Sequence, residues 1–213
     1  MTSINQAISH ISPAPEESDD PLLSETYDRV RPYWQGNILN YHRVFGVNPR
    51  MFHIHLQMSE YLMEPHPDLT TQDRFIIGLV VSKVHRCPYL EAIVDYFLLA
   101  GGVDEGFTVE EIAELRRNYR RAPFLSSRQQ EICRFAERVA ENPRAVTIED
   151  YARLQNEGIT DRTIFSIVAG VAYHEFITTH MHALGIVNDL PPERVQALAA
   201  EGRLRVGPPI GSY

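Results

Sequence analysis

The chain has 213 residues, of which 44% are hydrophobic and 23% are charged, and its net charge is -8 at pH 7. This composition is typical of a globular protein, and the length is typical of a single domain. The acidic balance and the scattered arginines exclude a concentrated basic surface, so we expect no nucleic-acid partner.

Membrane and secretory signals are absent from the sequence. No apolar run reaches the roughly 18 residues that a membrane span requires, and residues 1–20 lack the basic start and apolar middle of a secretory signal. We therefore expect no membrane association and a cytoplasmic location. Cys87 and Cys133 are the only cysteines, which are too few for a disulfide scaffold, so sulfur chemistry here would be redox or nucleophilic.

Three segments are predicted along the chain. Residues 1–20 are rich in Ser, Pro and acidic residues and are predicted to form a flexible N-terminal arm. Residues 21–202 are predicted to form one helical domain, because apolar residues recur at helical spacing and alternation of period two is absent. Residues 203–213 are assigned to a C-terminal tail. The fold class is therefore all-α, a helical bundle.

The helices are placed by apolar spacing and by their start signals. We predict helices over residues 22–35, 49–63, 71–86, 88–101, 108–118, 127–142, 148–157, 161–184 and 192–201. Four starts carry a Ser or Thr followed three residues later by an acid or amide, the pattern of a capping box. These pairs are Thr70 with Asp73, Thr108 with Glu111, Ser127 with Gln130 and Thr147 with Asp150.

The helix predicted over residues 161–184 is apolar in its first half and polar from Tyr173 onward. Such a helix borders a cavity or a subunit contact at its polar end, or else emerges into solvent. His174, Thr178 and His182 fall on one broad face and are candidates for acid–base chemistry or substrate contact. His180 and His182 diverge by about 160 degrees on a helix, and we predict no metal site and no cofactor.

Cys87 occupies the boundary between two predicted helices. Pro88 suits the first turn of a helix, which places Cys87 at or just before a helix N-terminus, where backbone N–H groups stabilise a thiolate. His85 would lower the pKa of Cys87 if the two side chains met. The alternative is that Cys87 is packed as a small hydrophobic residue.

Around this cysteine the sequence resembles the alkylhydroperoxidase-D-like and carboxymuconolactone-decarboxylase-like superfamily. Its redox branch has a Ser-x-x-x-x-Cys-x-x-Cys-x-x-x-His pattern after a helix that carries a Glu twelve positions before the first cysteine, and Ser82, Cys87 and Tyr89 match it. The resemblance covers roughly residues 40–190. It implies a helical bundle of the alkylhydroperoxidase-D-like type, a small-molecule substrate, and a homo-oligomer, as a dimer, trimer or hexamer.

The chain departs from this pattern at three positions. Leu90 stands in the place of the second cysteine, Val94 in that of the histidine and Phe75 in that of the glutamate. An apolar wall would thus replace the proton relay, and the two-cysteine peroxidase cycle is not expected. The decarboxylase branch, with Glu and His at the first two positions, is not matched either; Glu91 and Asp95 would serve only if the alignment shifted by one residue.

These patterns indicate candidate catalytic residues, candidate substrate-binding residues and three alternative functions. The predicted catalytic residues are Cys87, Tyr89, His85 and His174, and the predicted substrate-binding residues are Trp34, Glu91, Thr178 and His182. The favoured function is an enzyme that acts on a small organic substrate without the two-cysteine cycle. The alternatives are a one-cysteine peroxidase that uses Cys87 with an external thiol reductant, and a non-catalytic oligomer that binds a small molecule.

Overall fold

A computed structural model describes residues 8–63, 69–100 and 106–201. Within these ranges the chain forms α-helices and no β-strand, which confirms the all-α prediction. The helices are α1 Pro21–Val30, α2 Asn40–Phe45, α3 Pro49–Met63, α4 Thr71–Val84, α5 Pro88–Ala100, α6 Val109–Asn118, α7 Ser127–Glu141, α8 Ile148–Asn156, α9 Asp161–Ala183 and α10 Pro192–Glu201. None of the helices in the described ranges has the length and apolarity that a membrane crossing demands.

Helix α4 forms the centre of the bundle. Its residues 75–82 are all buried, so the helix has no polar face. A helix that is apolar on every side must be surrounded by other helices, and α4 packs against α5, α7 and α9. On the outside of this core, α1 packs on α3, and α10 packs on α5.

The predicted capping boxes place three helix starts correctly. Thr70 with Asp73 and Thr108 with Glu111 have the reciprocal bonds. At the third start, the backbone N–H and the hydroxyl of Thr147 both donate to Asp150. The fourth prediction was wrong by one residue, since Ser126 rather than Ser127 is the N-cap of α7, and it pairs with Gln129. Adjacent serines offer two equivalent caps, and the local pattern does not distinguish them.

The first predicted helix, over residues 22–35, is interrupted. It ends at Val30, and residues 31–34 form a short 3-10 turn that closes with Gln35 in the left-handed region, at φ 53°. Pro32 lies in this turn, and proline has no N–H to continue the α-helical ladder. Helix α2 was not predicted, because its N-cap is Leu39 rather than a Ser, Thr, Asp or Asn. The backbone N–H of Leu39 instead donates to Nδ1 of His42, at 3.1 Å.

The N-terminal arm packs against the bundle in its described part, from residue 8. The backbone N–H of His10 donates to the carbonyl oxygen of Leu184, and the N–H of Ala14 donates to that of Arg43. Ala14 is buried. These bonds hold residues 8–14 of the predicted N-terminal arm against the bundle. Residues 1–7 and the predicted tail at 203–213 lie outside the described residues.

Candidate functional site

A cavity of about 210 Å³ lies between α3, α4, α5 and α9, and the 3-10 turn and α2 cover one side. Its wall is mainly apolar. It is lined by Phe75, Leu90 and Val94. These are the three positions at which the chain departs from the pattern of the redox branch. Phe75 also stacks face to face on Phe97, with ring centroids 4.7 Å apart. The apolar wall inferred from the sequence is therefore the wall of this cavity.

His174 is the candidate base of the cavity. It lies on α9 one turn after Gly170, and both residues line the cavity. The Nδ1–H of His174 donates to the carbonyl oxygen of Gly170 at 2.7 Å. A carbonyl can only accept, so Nδ1 carries the proton and Nε2 keeps its lone pair. Burial lowers the pKa of His174 to about 4, and the ring is neutral at pH 7.

His42 brings the complementary group to the same cavity. Its Nδ1 accepts from the N–H of Leu39, and burial lowers the pKa of His42 well below its ordinary value. A neutral imidazole that accepts at Nδ1 must carry its proton at Nε2. His42 thus offers an N–H donor and His174 an acceptor, and no residue in the described ranges is bonded to either Nε2.

Cys87 lies just before α5, as predicted, yet it does not line the cavity. Only 2% of its surface is exposed, and its Sγ contacts Sδ of Met181 at 3.6 Å. Burial raises the pKa of the Cys87 thiol and outweighs the opposing effect of the backbone N–H groups of Leu90 and Tyr89. The helix-start context is thus real, but desolvation is stronger.

Tyr89 does not line the cavity, and its hydroxyl belongs to a hydrogen-bond network between helices. Its hydroxyl donates to Asp189 and accepts from the backbone N–H of Tyr41, at 3.2 Å from that nitrogen. Asp189 also accepts from the N–H of Asn40, at 3.2 Å. Burial, together with the neighbouring Asp189 carboxylate, raises the pKa of Tyr89 well above its ordinary value. The network ties α2 to α5 and so holds the cover of the cavity.

His85 contacts a carboxylate of α9. Its Nε2 lies 3.4 Å from Oε1 of Glu175. Burial is the largest influence on the pKa of the Cys87 thiol, which is raised rather than lowered. His182 is exposed, and its Nε2–H donates to the carbonyl oxygen of His85 at 3.1 Å.

Two further predicted substrate contacts also lie away from the cavity. Thr178 is buried and its hydroxyl donates to the carbonyl oxygen of Glu175 at 3.0 Å. Glu91 forms ion pairs with Lys83 at 3.6 Å and with Arg116 at 3.1 Å. Arg116 pairs with Asp95 as well, so both carboxylates of the shifted alignment lie on the opposite side of α5. Among the predicted residues, Trp34 and His174 line the cavity.

Trp34 forms part of an aromatic wall. It stacks on Tyr96 with ring centroids 4.6 Å apart and contacts Phe97 edge-on at 5.4 Å. No group of three His, Cys, Asp or Glu side chains in the described ranges is placed to hold a metal ion. Aromatic walls and a few fixed polar groups are the usual features of a small-molecule site.

Sequence reasoning missed His42 and Gly78. His42 has no local signal, because its orientation depends on α2, which was not predicted. Gly78 lies within an apolar helix, and its sequence context indicates only a residue that packs in the core. In the structure, a Cβ atom added at Gly78 would lie 2.7 Å from Nε2 of His174 and 2.9 Å from Cγ2 of Val94, so glycine is required for the close approach of this imidazole to α4.

No protein-family model matches the chain, and no curated protein matches it in sequence. Solved structures match it in fold. An uncharacterised peroxidase-related protein from Ralstonia eutropha JMP134, described as an alkylhydroperoxidase AhpD core, is 20% identical, with a TM-score of 0.73 over 88% of this chain and 95% of that one. A peroxidase-related protein from Silicibacter sp. TM1040 is 19% identical, with a TM-score of 0.75 over 92% and 98%.

A third structure is a cysteine-to-alanine variant of the debrominase Bmp8 in complex with 2,3,4-tribromopyrrole. It is 15% identical, with a TM-score of 0.72 over 93% of this chain and 98% of that one. All three similarities extend over nearly the whole of both chains, and at these identities they establish the fold. The chain therefore has the all-helical fold of the alkylhydroperoxidase-D-like, peroxidase-related proteins.

Proposed function

We propose that this protein is an enzyme that moves a proton on a small, largely apolar organic substrate bound in the cavity, with His174 as the base. One observation carries the proposal: the two imidazoles that face the same apolar cavity have fixed and opposite tautomers. Nε2 of His174 accepts, and Nε2–H of His42 donates. A base and a hydrogen-bond donor on one substrate form the minimum equipment for enolisation.

The chemistry needs no oxidant or reductant. Nε2 of His174 takes a proton from an acidic C–H bond of the substrate, and the electron pair of that bond passes to a carbonyl oxygen. The N–H of His42 stabilises the resulting oxyanion. The imidazolium of His174 then returns the proton to the same carbon or to its conjugated neighbour. Because the pKa of His174 is about 4, the base is weak, and suitable substrates carry an acidified C–H, as in 1,3-dicarbonyl compounds.

The placement of Cys87 supports this non-redox chemistry over a one-cysteine peroxidase. A peroxidatic sulfur needs access to the hydroperoxide and a low pKa, and Cys87 has neither. The volume of the cavity favours a molecule about as large as a single ring with its substituents. The ligand of the Bmp8 complex, 2,3,4-tribromopyrrole, is of this size and is a suitable first probe of the cavity.

The test is a two-stage assay. Small 1,3-dicarbonyl compounds and halopyrroles are first screened by thermal stabilisation of the protein. Each ligand that stabilises it is then incubated in deuterium oxide, and its C–H exchange is followed by proton NMR. We expect exchange that His174→Gln abolishes and Cys87→Ser preserves. Stabilisation without exchange would assign binding alone, and a peroxide-dependent turnover lost in Cys87→Ser would assign the redox alternative.

A further inference from the structure

Tyr41 brings a further polar group to the cavity, beside His42. Both residues belong to the first turn of α2 and line the cavity, and their ring centroids lie 4.1 Å apart. The hydroxyl of Tyr41 lies 3.1 Å from Nε2 of His55 and has no other hydrogen-bond partner in the described part of the chain. What this hydroxyl can offer a ligand depends on which of the two atoms donates in that bond.

The tautomer of His55 decides the direction of the bond. Burial lowers the pKa of His55 to about 3, so the ring is neutral at pH 7 and carries one proton. Its Nδ1 is buried and has no hydrogen-bond partner among the described residues. A buried N–H without an acceptor is rare in native structures, whereas an unused acceptor is tolerated more often. The proton is therefore on Nε2, which donates to the oxygen of Tyr41, and the O–H of Tyr41 is left to donate elsewhere.

This donor is held in place before a ligand arrives. His55 stacks on two rings, with centroids 4.6 Å from that of Phe45 and 5.4 Å from that of Tyr173. The backbone N–H of Tyr41 donates to the hydroxyl of Tyr89. Burial raises the pKa of Tyr41 well above its ordinary value, so the hydroxyl keeps its proton at neutral pH. Fixed neutral donors of this kind stabilise negative charge that develops in a site from which water is excluded.

We infer that Tyr41 is a second catalytic donor of this site and that His55 is its positioning residue, an inference that rests on the proposed function. Two donors suit a 1,3-dicarbonyl compound better than a simple ketone. When His174 takes the proton from the carbon between two carbonyl groups, the electron pair of that bond is shared by both oxygens. The N–H of His42 donates to one oxygen and the O–H of Tyr41 donates to the other, and neither donor loses its proton.

The first test measures binding without turnover. Dimedone is a cyclic 1,3-dicarbonyl that is ionised at neutral pH, and the ultraviolet absorbance of its enolate reports the ionisation of the bound molecule. We expect Tyr41→Phe to weaken the binding of dimedone by about tenfold or more, the usual effect of losing a hydrogen bond to a charged group. The same variant should raise the pH at which bound dimedone ionises, because one donor to the enolate is lost.

The matched control is Tyr27→Phe, which makes the same chemical change outside the cavity. Tyr27 lies on α1, and its hydroxyl is buried without a hydrogen-bond partner among the described residues. This variant should alter neither the affinity for dimedone nor its ionisation. An unchanged affinity in Tyr41→Phe, an equal loss in both variants, or a wild type that does not bind dimedone would overturn the inference.

The role of His55 is tested by a double-mutant cycle. His55→Phe removes the N–H that orients the Tyr41 hydroxyl, so it should weaken the binding of dimedone to the otherwise wild-type protein. In the Tyr41→Phe background it should have no further effect, because His55 acts through that hydroxyl. Equal losses in the two backgrounds would show a purely structural role for His55 and overturn its assignment as a positioning residue.

Turnover separates this inference from the proposed function. Ethyl acetoacetate is a less acidic 1,3-dicarbonyl compound, and its C–H exchange in deuterium oxide is followed by proton NMR. Tyr41→Phe should lower kcat by about a hundredfold, the effect of removing one donor to an oxyanion, and Tyr27→Phe should not. Wild-type exchange that Tyr41→Phe leaves unchanged would overturn this inference alone. Binding of dimedone that depends on Tyr41, without exchange of ethyl acetoacetate, would overturn the proposed function and leave Tyr41 as a donor to bound ligands.

Discussion

Nε2 of His174 lies directly against Gly78, so closely that a Cβ atom added at that glycine would be 2.7 Å away. Glycine within a helix costs roughly 0.5–1 kcal/mol relative to alanine. Glycine is nevertheless favoured at position 78, because the imidazole of His174 on α9 and the side chain of Val94 on α5 both pack against the backbone of α4 there. The absence of a side chain at residue 78 therefore allows the imidazole of His174 to pack against α4.

The first prediction concerns this contact. Gly78→Ala should displace the imidazole of His174 and lower the free energy of unfolding by about 1–3 kcal/mol, the usual effect of overpacking a core. The control is Gly170→Ala, where the added Cβ would lie 3.6 Å from Ile77, an ordinary contact. That variant should be neutral or more stable by up to about 1 kcal/mol. Urea unfolding of both variants measures the difference, and equal destabilisation would contradict the assigned contact.

The second prediction concerns acid stability. Burial lowers the pKa of His174 to about 4 and that of His55 to about 3, and it lowers that of His42 as well. The unfolded chain takes up these protons near pH 6.5, whereas the folded chain does not. Because the unfolded chain binds more protons than the folded chain in this range, the free energy of unfolding should be highest above pH 6.5 and should decrease as the pH falls from 6.5 toward 4. Urea midpoints between pH 8 and pH 5 should fall accordingly.

The variant His55→Phe isolates the contribution of His55 to this pH dependence. His55 is stacked on Tyr173 and Phe45, and His55→Phe keeps an aromatic ring while removing the proton site. It should reduce the slope of stability against pH by about 1.4 kcal/mol per pH unit between pH 6 and pH 5. His55→Phe also removes the hydrogen bond between Nε2 of His55 and the Tyr41 hydroxyl. Tyr41→Phe removes that bond too, but leaves the imidazole. Its slope should match that of the wild type, and a reduced slope in both variants would refute the assignment.

The helices could be predicted from the sequence because their signals are local. Thr70, Thr108 and Thr147 each occupy the N-cap position of the helix that follows, and apolar spacing locates the other helices. The fate of Cys87 could not be predicted in this way. Its position before Pro88 is local and correct, but it is buried by tertiary packing that includes Met181, which lies 94 residues away.

The same limit applies to the predicted face of α9. His174 and Thr178 are one turn apart, and each further turn rotates a side chain by about 40 degrees. His174 meets the cavity, Thr178 faces buried packing and His182 reaches solvent. Helical spacing gives the angles between these residues, but the neighbouring helices decide which of them lines a site.

The third prediction concerns thiol reactivity. Cys87 and Cys133 are both buried, and burial raises the pKa of each thiol, that of Cys133 to about 12. Because the thiolate is the reactive species, neither should react with DTNB in the native protein, and two thiols should react after unfolding in urea. Intact-mass analysis after hydrogen peroxide and dimedone should find no adduct. Rapid labelling of the wild type that is lost in Cys87→Ser would contradict this prediction and favour the one-cysteine peroxidase as the function.

The fourth prediction uses Trp34, the single tryptophan of the chain, which is buried in the cavity wall. Its fluorescence should be blue-shifted in the native protein and should be quenched by a halogenated ligand that enters the cavity, because heavy atoms quench an excited indole on contact. Titration with 2,3,4-tribromopyrrole should quench Trp34 in a saturable manner. Val94→Phe, which fills space in the same cavity, should weaken that quenching at least tenfold. Quenching that does not saturate, or that Val94→Phe leaves unchanged, would place the ligand outside the cavity.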